Sequence, residues 1–178
     1  SCLNYCNKFF CQINIDNDDM LKNLPAWQNY IGYVPQDVYL VDDTIKKNIA
    51  FALPETTIND EAVDLAIKKS KLDKLINNLD KGKNTQIGEF GDRLSGGQKQ
   101  RISIARALYS NPRVLIFDEF TNSLDIETEK KIIEEIINFK RDKTVIMIAH
   151  RLSTLKSCDS IYKIENSKIA KVENLNEN

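Results

Sequence analysis

The sequence predicts an α/β fold, because apolar runs of strand length alternate with segments of helical periodicity. Residues 114–117 and 144–149 are continuous apolar runs, which are typical of parallel strands buried on both faces. With 178 residues, the chain has room for one domain or for part of one. The helix between the two runs carries one apolar stripe, formed by Ile132, Ile133, Ile136 and Ile137.

The remaining elements can be placed in chain order. Residues 13–16 alternate apolar and polar side chains, as a half-buried strand does, and residues 30–34 predict a strand that ends at a proline. From residue 44 to about residue 79 the periodicity is helical. Near the end of the chain, residues 160–164 and 168–172 predict two strands joined by a short turn.

Composition excludes several classes of function. The chain has 25 Lys and Arg against 26 Asp and Glu, a formal net charge of −1, which argues against a nucleic-acid-binding surface built on bulk charge. Its apolar runs are far shorter than the roughly 20 residues of a membrane span. The first residues lack the basic stretch and apolar core of a secretory signal. We therefore expect a soluble chain that binds no nucleic acid.

The cysteines do not predict a metal site. Three of them lie near the start at spacings of four and five residues, with no histidine nearby, and this pattern matches no zinc site. In a chain that looks cytosolic, free thiols are the expected state. The four residues are Cys2, Cys6, Cys11 and Cys158.

A phosphate site is predicted where the helix after residue 95 begins. Ser95 has the position and chemistry of an N-cap residue, and it can add its hydroxyl to an anion site. Gly96 and Gly97 leave bare backbone N–H groups at the positive end of the helix dipole, which favours a phosphate. For Ser-Gly-Gly alone, an ordinary capped helix would be the better interpretation. The pattern continues, however, through Gln98 to about residue 108.

Two acids and a histidine are predicted to share one edge of the sheet. Asp118 and Glu119 follow the strand at 114–117, and His150 follows the strand at 144–149. The carboxyl ends of parallel strands are where α/β sheets bind ligands. Asp118 is suited to hold Mg²⁺, and Glu119 to orient or deprotonate an attacking water. A strand that simply ends in two solvated acids is the alternative.

Taken together, these segments resemble the motifs of ATP-binding cassette (ABC) ATPases, and they occur in the order typical of that family. The resemblance covers residues 13–172. The matching segments are the Q-loop at 31–37, the signature motif at 94–108, the Walker B strand end at 117–119, the D-loop at 121–125 and the H-loop at 150–154.

The resemblance implies a partial RecA-like core of the P-loop NTPase class, with an inserted helical subdomain. On this basis residues 1–40 are a remnant of the core with the Q-loop. Residues 41–110 are the helical subdomain with the signature motif. Residues 111–178 return to the core with the Walker B, D-loop and H-loop segments.

The resemblance also implies cofactors, roles and a partner. ATP and Mg²⁺ are the implied ligands, Glu119 and His150 the catalytic residues, and Gln36 and Asp118 the metal ligands. The implied partner is a second nucleotide-binding domain in a head-to-tail dimer, and Asp125 would reach across to it. Contacts to ATP are implied for Gln36, Ser95, Gly96, Gly97, Gln98 and Asp125.

The loop from Thr85 to Gly91 favours the exporter branch of the family. It is similar to the X-loop of ABC exporters, which touches the coupling helices of the transmembrane domain. Lipid-linked oligosaccharide flippases and peptide exporters share these traits. The implied location is the cytoplasmic face of the cell (inner) membrane, through a transmembrane domain absent from this chain.

The sequence departs from the family pattern at two places. The sequence contains no Gly-x-x-x-x-Gly-Lys-Ser/Thr, so we expect a fragment truncated before the Q-loop that lacks the Walker A loop and is inactive alone. Phe120 stands where the family usually has a small residue, which puts local packing in question. Two alternatives to part of an exporter ATPase stay open. One is a degenerate, non-catalytic cassette that acts as a regulatory or assembly partner, and the other is a soluble ABC ATPase that transports nothing.

Overall fold

The computed structural model describes residues 14–15, 18–19, 24–121, 124–149 and 151–172. Short 3₁₀ turns at Glu55–Thr57, Gly82–Asn84 and Glu89–Gly91 interrupt the loops between helices. The strands are β1 (Asn14–Ile15), β2 (Asp18–Asp19), β3 (Ile31–Val34), β4 (Val114–Asp118), β5 (Thr144–Ile148), β6 (Ile161–Glu165) and β7 (Lys168–Val172). The helices are α1 (Leu24–Tyr30), α2 (Ile45–Ile49), α3 (Asp60–Lys69), α4 (Asp73–Asn77), α5 (Gly96–Tyr109), α6 (Ile126–Phe139) and α7 (Leu152–Leu155).

A parallel sheet in the order β3-β4-β5 forms the centre of the described structure. Val34 lies opposite Phe117, and Asp118 lies opposite Ile148. All three strands therefore end at the same edge, and the segments that follow them leave the sheet together. The α/β class and the positions of these three strands are confirmed.

The expectation that these strands are buried on both faces is wrong. In β4, Leu115 and Phe117 are completely buried, whereas Ile116 between them is only half-buried. In β5, Ile146 and Ile148 are 46% and 49% exposed. The apolar run at 144–149 is a strand, but β5 is an edge strand, and its outer side chains lie on a face that the described helices leave open.

Helix α5 packs directly onto the sheet at Gly32 in β3. A Cβ atom at residue 32 would lie 2.5 Å from the carbonyl oxygen of Ala107 in α5, well inside contact distance. Glycine therefore allows the helix backbone to approach the strand. This approach fixes α5, and with it the segment at residues 95–98, relative to the sheet.

The helical stretch predicted from residue 44 to about residue 79 is split into α2, α3 and α4. The side chain of Thr44 caps α2 by accepting from the N–H of Lys47, and Asn59 caps α3 by accepting from the N–H of Ala62. Pro54 stands between the two helices. The helical periodicity predicted for this stretch is confirmed in α3, whose buried residues are Val63, Ala66 and Ile67.

Two short elements near the start were not predicted. Helix α1 includes Pro25 in its first turn, a position that favours proline because the missing N–H has no partner there in any case. Strand β2 pairs with β1 over two residues. The hairpin of β6 and β7 was predicted, and Asn166 and Ser167 in its turn both have positive φ, as a tight hairpin requires.

Phe120 belongs to the core of the protein. Its side chain is 1% exposed, and its ring lies 5.1 Å from the ring of Phe117 with an interplanar angle of 55°. Such tilted aromatic pairs add stabilisation beyond the area that they bury. The large side chain at this position is therefore accommodated by Phe117.

We expect Phe120→Ala to lower the free energy of unfolding by about 3–5 kcal/mol, because it removes a buried ring and leaves a cavity. Urea denaturation measures the change. Tyr162→Ala is the matched control, since Tyr162 is 60% exposed, and it should change stability by no more than about 0.5 kcal/mol. Equal losses for the two variants would contradict this view of the core.

Candidate functional site

Gln36 and Asp118 lie at the edge of the sheet where β3 and β4 end. Asp118 is the last residue of β4, and Gln36 follows the end of β3 by two residues, with its side chain exposed. The hydroxyl of Tyr33 donates a hydrogen bond of 2.8 Å to Oδ2 of Asp118. This bond raises the pKa of Tyr33, so the phenol stays protonated and keeps donating at neutral pH.

Sequence reasoning missed Tyr33, although the sheet register accounts for it. Tyr33 lies opposite Ile116, two residues before Asp118. Because side chains alternate along a strand, Tyr33 and Asp118 are on the same face of neighbouring strands. Tyr33 and Asp118 are 85 residues apart in the sequence, so no local sequence pattern indicates that their side chains meet.

Glu119 begins the turn that leaves β4. Its N–H donates to the carbonyl oxygen of Ile148 at 2.9 Å, which extends the pairing of β4 with β5 by one residue. Its φ of 41° lies in the left-handed region, which for a residue other than glycine costs on the order of 1–3 kcal/mol. Backbone strain of this kind is concentrated at functional sites. The half-buried side chain of Glu119 is thus held just beyond Asp118.

His150 lies outside the described residues, as do Asn122, Ser123, Cys2, Cys6 and Cys11. The residues that flank His150 are described. Ile148 ends β5 opposite Asp118, and Arg151 precedes α7. Cys158 is a free, half-buried thiol.

Ser95 caps α5, as predicted. Its hydroxyl oxygen accepts from the N–H of Gln98 at 3.3 Å, and its own N–H donates to Oε1 of Gln98 at 2.8 Å, which completes a capping box. Gly96 and Gly97 occupy the first turn, where an α-helix offers no internal acceptor for the N–H groups. Those two groups are available to an external anion, whereas the amide oxygen of Gln98 already accepts from the cap.

The start of α5 shares a cleft of about 280 Å³ with the start of α6. The cleft joins Ser95, Gly96, Gly97 and Gln98 with Asp125, five of the six residues that the sequence predicts for ATP contact. Two helix N-termini converge there, which favours an anionic ligand. The two cations of the lining, Arg101 and Lys131, are paired with Glu135 and Glu127. The remaining lining residues are Arg101, Leu124, Thr128 and Lys131.

Asp125 is the N-cap of α6. Its Oδ1 accepts from the N–H of Thr128 at 2.9 Å and from the N–H of Glu127 at 3.1 Å. The hydrogen bonds from Thr128 make the largest contribution to lowering the pKa of Asp125, so its carboxylate is ionised at neutral pH. The Asp125 carboxylate thus accepts hydrogen bonds from its own helix. Asp125 also lines the cleft.

The available oxygen atoms fit Mg²⁺ bound together with a nucleotide. Mg²⁺ prefers one or two carboxylates, water and phosphate oxygens over a cage made only of protein groups. Asp118 and Gln36 offer a carboxylate and an amide oxygen at one edge. Within the described residues, no group of three or more His, Cys, Asp or Glu could hold a metal ion by itself. A metal ion here would therefore need phosphate and water ligands as well.

Gly97 allows the starts of α5 and α6 to meet. A Cβ atom at residue 97 would lie 2.8 Å from Cγ2 of Thr128. We expect Gly97→Ala to lower the free energy of unfolding by about 1–3 kcal/mol, because the new methyl group overpacks this contact. Urea denaturation measures the loss.

The matched rescue is the double variant Gly97→Ala, Thr128→Ser. Serine removes the clashing methyl group and keeps the hydroxyl beside Asp125, so most of the lost stability should return. A double variant as unstable as Gly97→Ala alone would show that the Thr128 methyl is not the obstacle.

Known proteins of one family are similar to this chain. The family model described as ABC transporter matches residues 11–122. A putative multidrug export ATP-binding/permease protein of Staphylococcus aureus is 45% identical over 159 residues, which are 89% of this chain and 27% of that protein. The ABC transporter ATM1 of Toxoplasma gondii is 41% identical over 161 residues, 90% of this chain and 14% of that protein.

A solved structure of a bacterial Atm1-family ABC exporter with ATP bound is also similar, with a TM-score of 0.77 and 39% sequence identity. The match covers 89% of this chain and 28% of that one, so this chain spans less than a third of the length of each of these relatives. No helix in the described segments combines the length and the apolar composition that crossing a membrane requires. The predicted likeness to exporters is confirmed, and the chain belongs to the ABC transporter family.

Proposed function

We propose that this chain is part of the nucleotide-binding domain of an ABC exporter, which hydrolyses ATP to drive a substrate across a membrane. The observation that carries the proposal is the cleft in which the N-termini of α5 and α6 converge. Its two helix dipoles favour the phosphates of a nucleotide. The edge with Asp118 and Glu119 supplies a metal ligand and a base for hydrolysis.

Each group at the edge of the sheet has a distinct role in the proposal. Bound Mg²⁺ would neutralise charge on the phosphates, and Asp118 and Gln36 would hold it. Tyr33 orients the Asp118 carboxylate through its hydrogen bond. Glu119 accepts the proton of the attacking water. His150 contacts the terminal phosphate and keeps Glu119 and the water in position.

We further propose that the cleft completes a nucleotide site on a second copy of the domain. Ser95, Gly96 and Gly97 donate to the phosphates of ATP that the phosphate-binding loop of the partner holds. The capping box supports this role, because it fixes the helix start and leaves the N–H groups of Gly96 and Gly97 free of internal acceptors. Two such clefts in a head-to-tail dimer would each close over one nucleotide.

An exposed aromatic pair supports docking to a transmembrane domain. Tyr39 and Phe90 are 56% and 64% exposed, and their rings lie 6.1 Å apart at 71°. Phe90 belongs to the loop from Thr85 to Gly91, and the Tyr39 carbonyl accepts from Nη1 of Arg106 at 2.9 Å. Because Arg106 belongs to α5, this hydrogen bond connects α5 to any partner that contacts the aromatic pair. We propose that coupling helices bind here, which places the chain at the cytoplasmic face of the membrane.

The first test concerns Glu119. A suitable protein is a chimera of the S. aureus relative in which this chain replaces the 159 matching residues. We expect Glu119→Gln to lower the kcat for ATP by about 10²–10⁴-fold, because the amide cannot accept the water proton. Phosphate release measures the rate.

Glu61→Gln is the control, because Glu61 lies on the exposed side of α3, away from the edge. It should leave the rate unchanged. ATP hydrolysis that is insensitive to Glu119→Gln would contradict the proposed chemistry, and a chimera that assembles without turnover would favour a non-catalytic cassette.

The second test concerns the aromatic pair. In the same chimera, we expect Phe90→Ala to reduce the stimulation of ATP hydrolysis by transport substrate at least about threefold, because the docking contact loses its exposed ring. Hydrolysis with and without substrate, in lipid vesicles, measures the ratio. Tyr162→Ala, which removes another ring that is 60% exposed, is the control and should leave the ratio unchanged. Unaltered stimulation in Phe90→Ala would exclude this surface.

A further inference from the structure

Glu129 is a buried charge that the proposed reaction does not use. It lies in the first turns of α6 and is 4% exposed, and it is the only charged residue that is buried in the described part of the chain. Burying a carboxylate is costly unless hydrogen bonds and an opposite charge compensate for the lost water. The partners of Glu129 therefore indicate what it holds in place.

Both carboxylate oxygens of Glu129 bind the segment that follows His150. Nη1 of Arg151 forms an ion pair with Oε2. The hydroxyl of Thr154, which is completely buried, donates to Oε1 at 3.0 Å. One carboxylate thus holds the residue directly after His150 and a residue of α7.

Glu129 is also fixed on the side of the cleft. Its N–H donates to the carbonyl oxygen of Asp125 at 2.9 Å in the first turn of α6, and Asp125 lines the cleft with the start of α5. The other flank of His150 is fixed by Ile148, whose carbonyl oxygen accepts from Glu119. His150 therefore stands in sequence between two anchored residues, one tied to Glu119 and the other to Glu129.

We propose that Glu129 is a positioning residue for ATP hydrolysis. By holding Arg151 and Thr154 it sets the backbone after His150 relative to Glu119 and to the cleft. The inference rests on the proposed function, in which His150 acts on the terminal phosphate. Since small displacements of reacting groups slow chemistry more than they weaken binding, loss of this anchor affects turnover rather than nucleotide affinity.

Glu129→Gln tests the inference in the chimera. Glutamine keeps the shape and an oxygen that can accept from Thr154, but it loses the ion pair with Arg151. We expect kcat for ATP to fall by about 10- to 100-fold while KM changes by less than about twofold. Steady-state phosphate release gives both constants, and thermal unfolding checks that the variant is folded.

Two further variants separate positioning from simple stabilisation. Arg151→Gln alters a side chain that is 41% exposed, and it should reproduce the fall in kcat. The double variant Glu129→Gln, Arg151→Gln should be no slower than the slower single variant, because both break the same link. Glu134→Gln on the same helix is the matched control, since Glu134 is exposed and does not line the cleft; its rate should equal that of the parent.

The outcomes are distinct. A folded Glu129→Gln variant with the kcat of the parent overturns the inference and leaves the proposed function intact. If Glu129→Gln does not fold, Arg151→Gln decides, and a normal kcat in that variant overturns the inference equally. If the parent chimera lacks hydrolysis that depends on Glu119, the proposed function fails, and the inference fails with it.

Discussion

The parallel pairing of β4 with β3 on one side and β5 on the other is the constraint on which the rest of the structure depends. Its register places Tyr33 and Asp118 on one face and lets the N–H of Glu119 bond to Ile148. A slip of one residue between β3 and β4 would turn Asp118 away from Tyr33, because side chains alternate along a strand. The chain leaves the sheet at Glu119, whose backbone is left-handed. The buried side chain of the next residue, Phe120, fixes this turn against the core.

A second constraint acts on the helices. The positive ends of α5 and α6 converge on one cleft, an arrangement that is electrostatically unfavourable in the absence of negative charge. Ser95 and Asp125 reduce this cost as N-caps, and the ionised Asp125 adds a charge of the favourable sign. An anionic ligand would reduce the electrostatic cost that remains. The same geometry that makes the cleft costly to form therefore makes it suited to phosphate, and Gly97 is the residue that allows the two helices to approach.

Local patterns predicted a large part of this structure. The three core strands, helix α3 and the cap at Ser95 follow from short-range periodicity and capping chemistry, and all of them are present. What could not be predicted depends on partners distant in sequence. The exposure of Ile146 was missed because an apolar run does not reveal what covers each face of a strand. The bond from Tyr33 to Asp118 and the anchor at Glu129 depend on sheet register and helix packing, which no local window contains.

The central claim is that the start of α5 binds phosphates of a nucleotide held by a second copy of the domain. The most direct measurement is an electron cryomicroscopy structure of the chimera with Mg²⁺ and a non-hydrolysable ATP analogue. The account predicts density for the terminal phosphate within hydrogen-bond distance of the N–H groups of Gly96 and Gly97, with the rest of the nucleotide on the partner. A dimer with nucleotide bound on the partner but no contact to the start of α5 would contradict it.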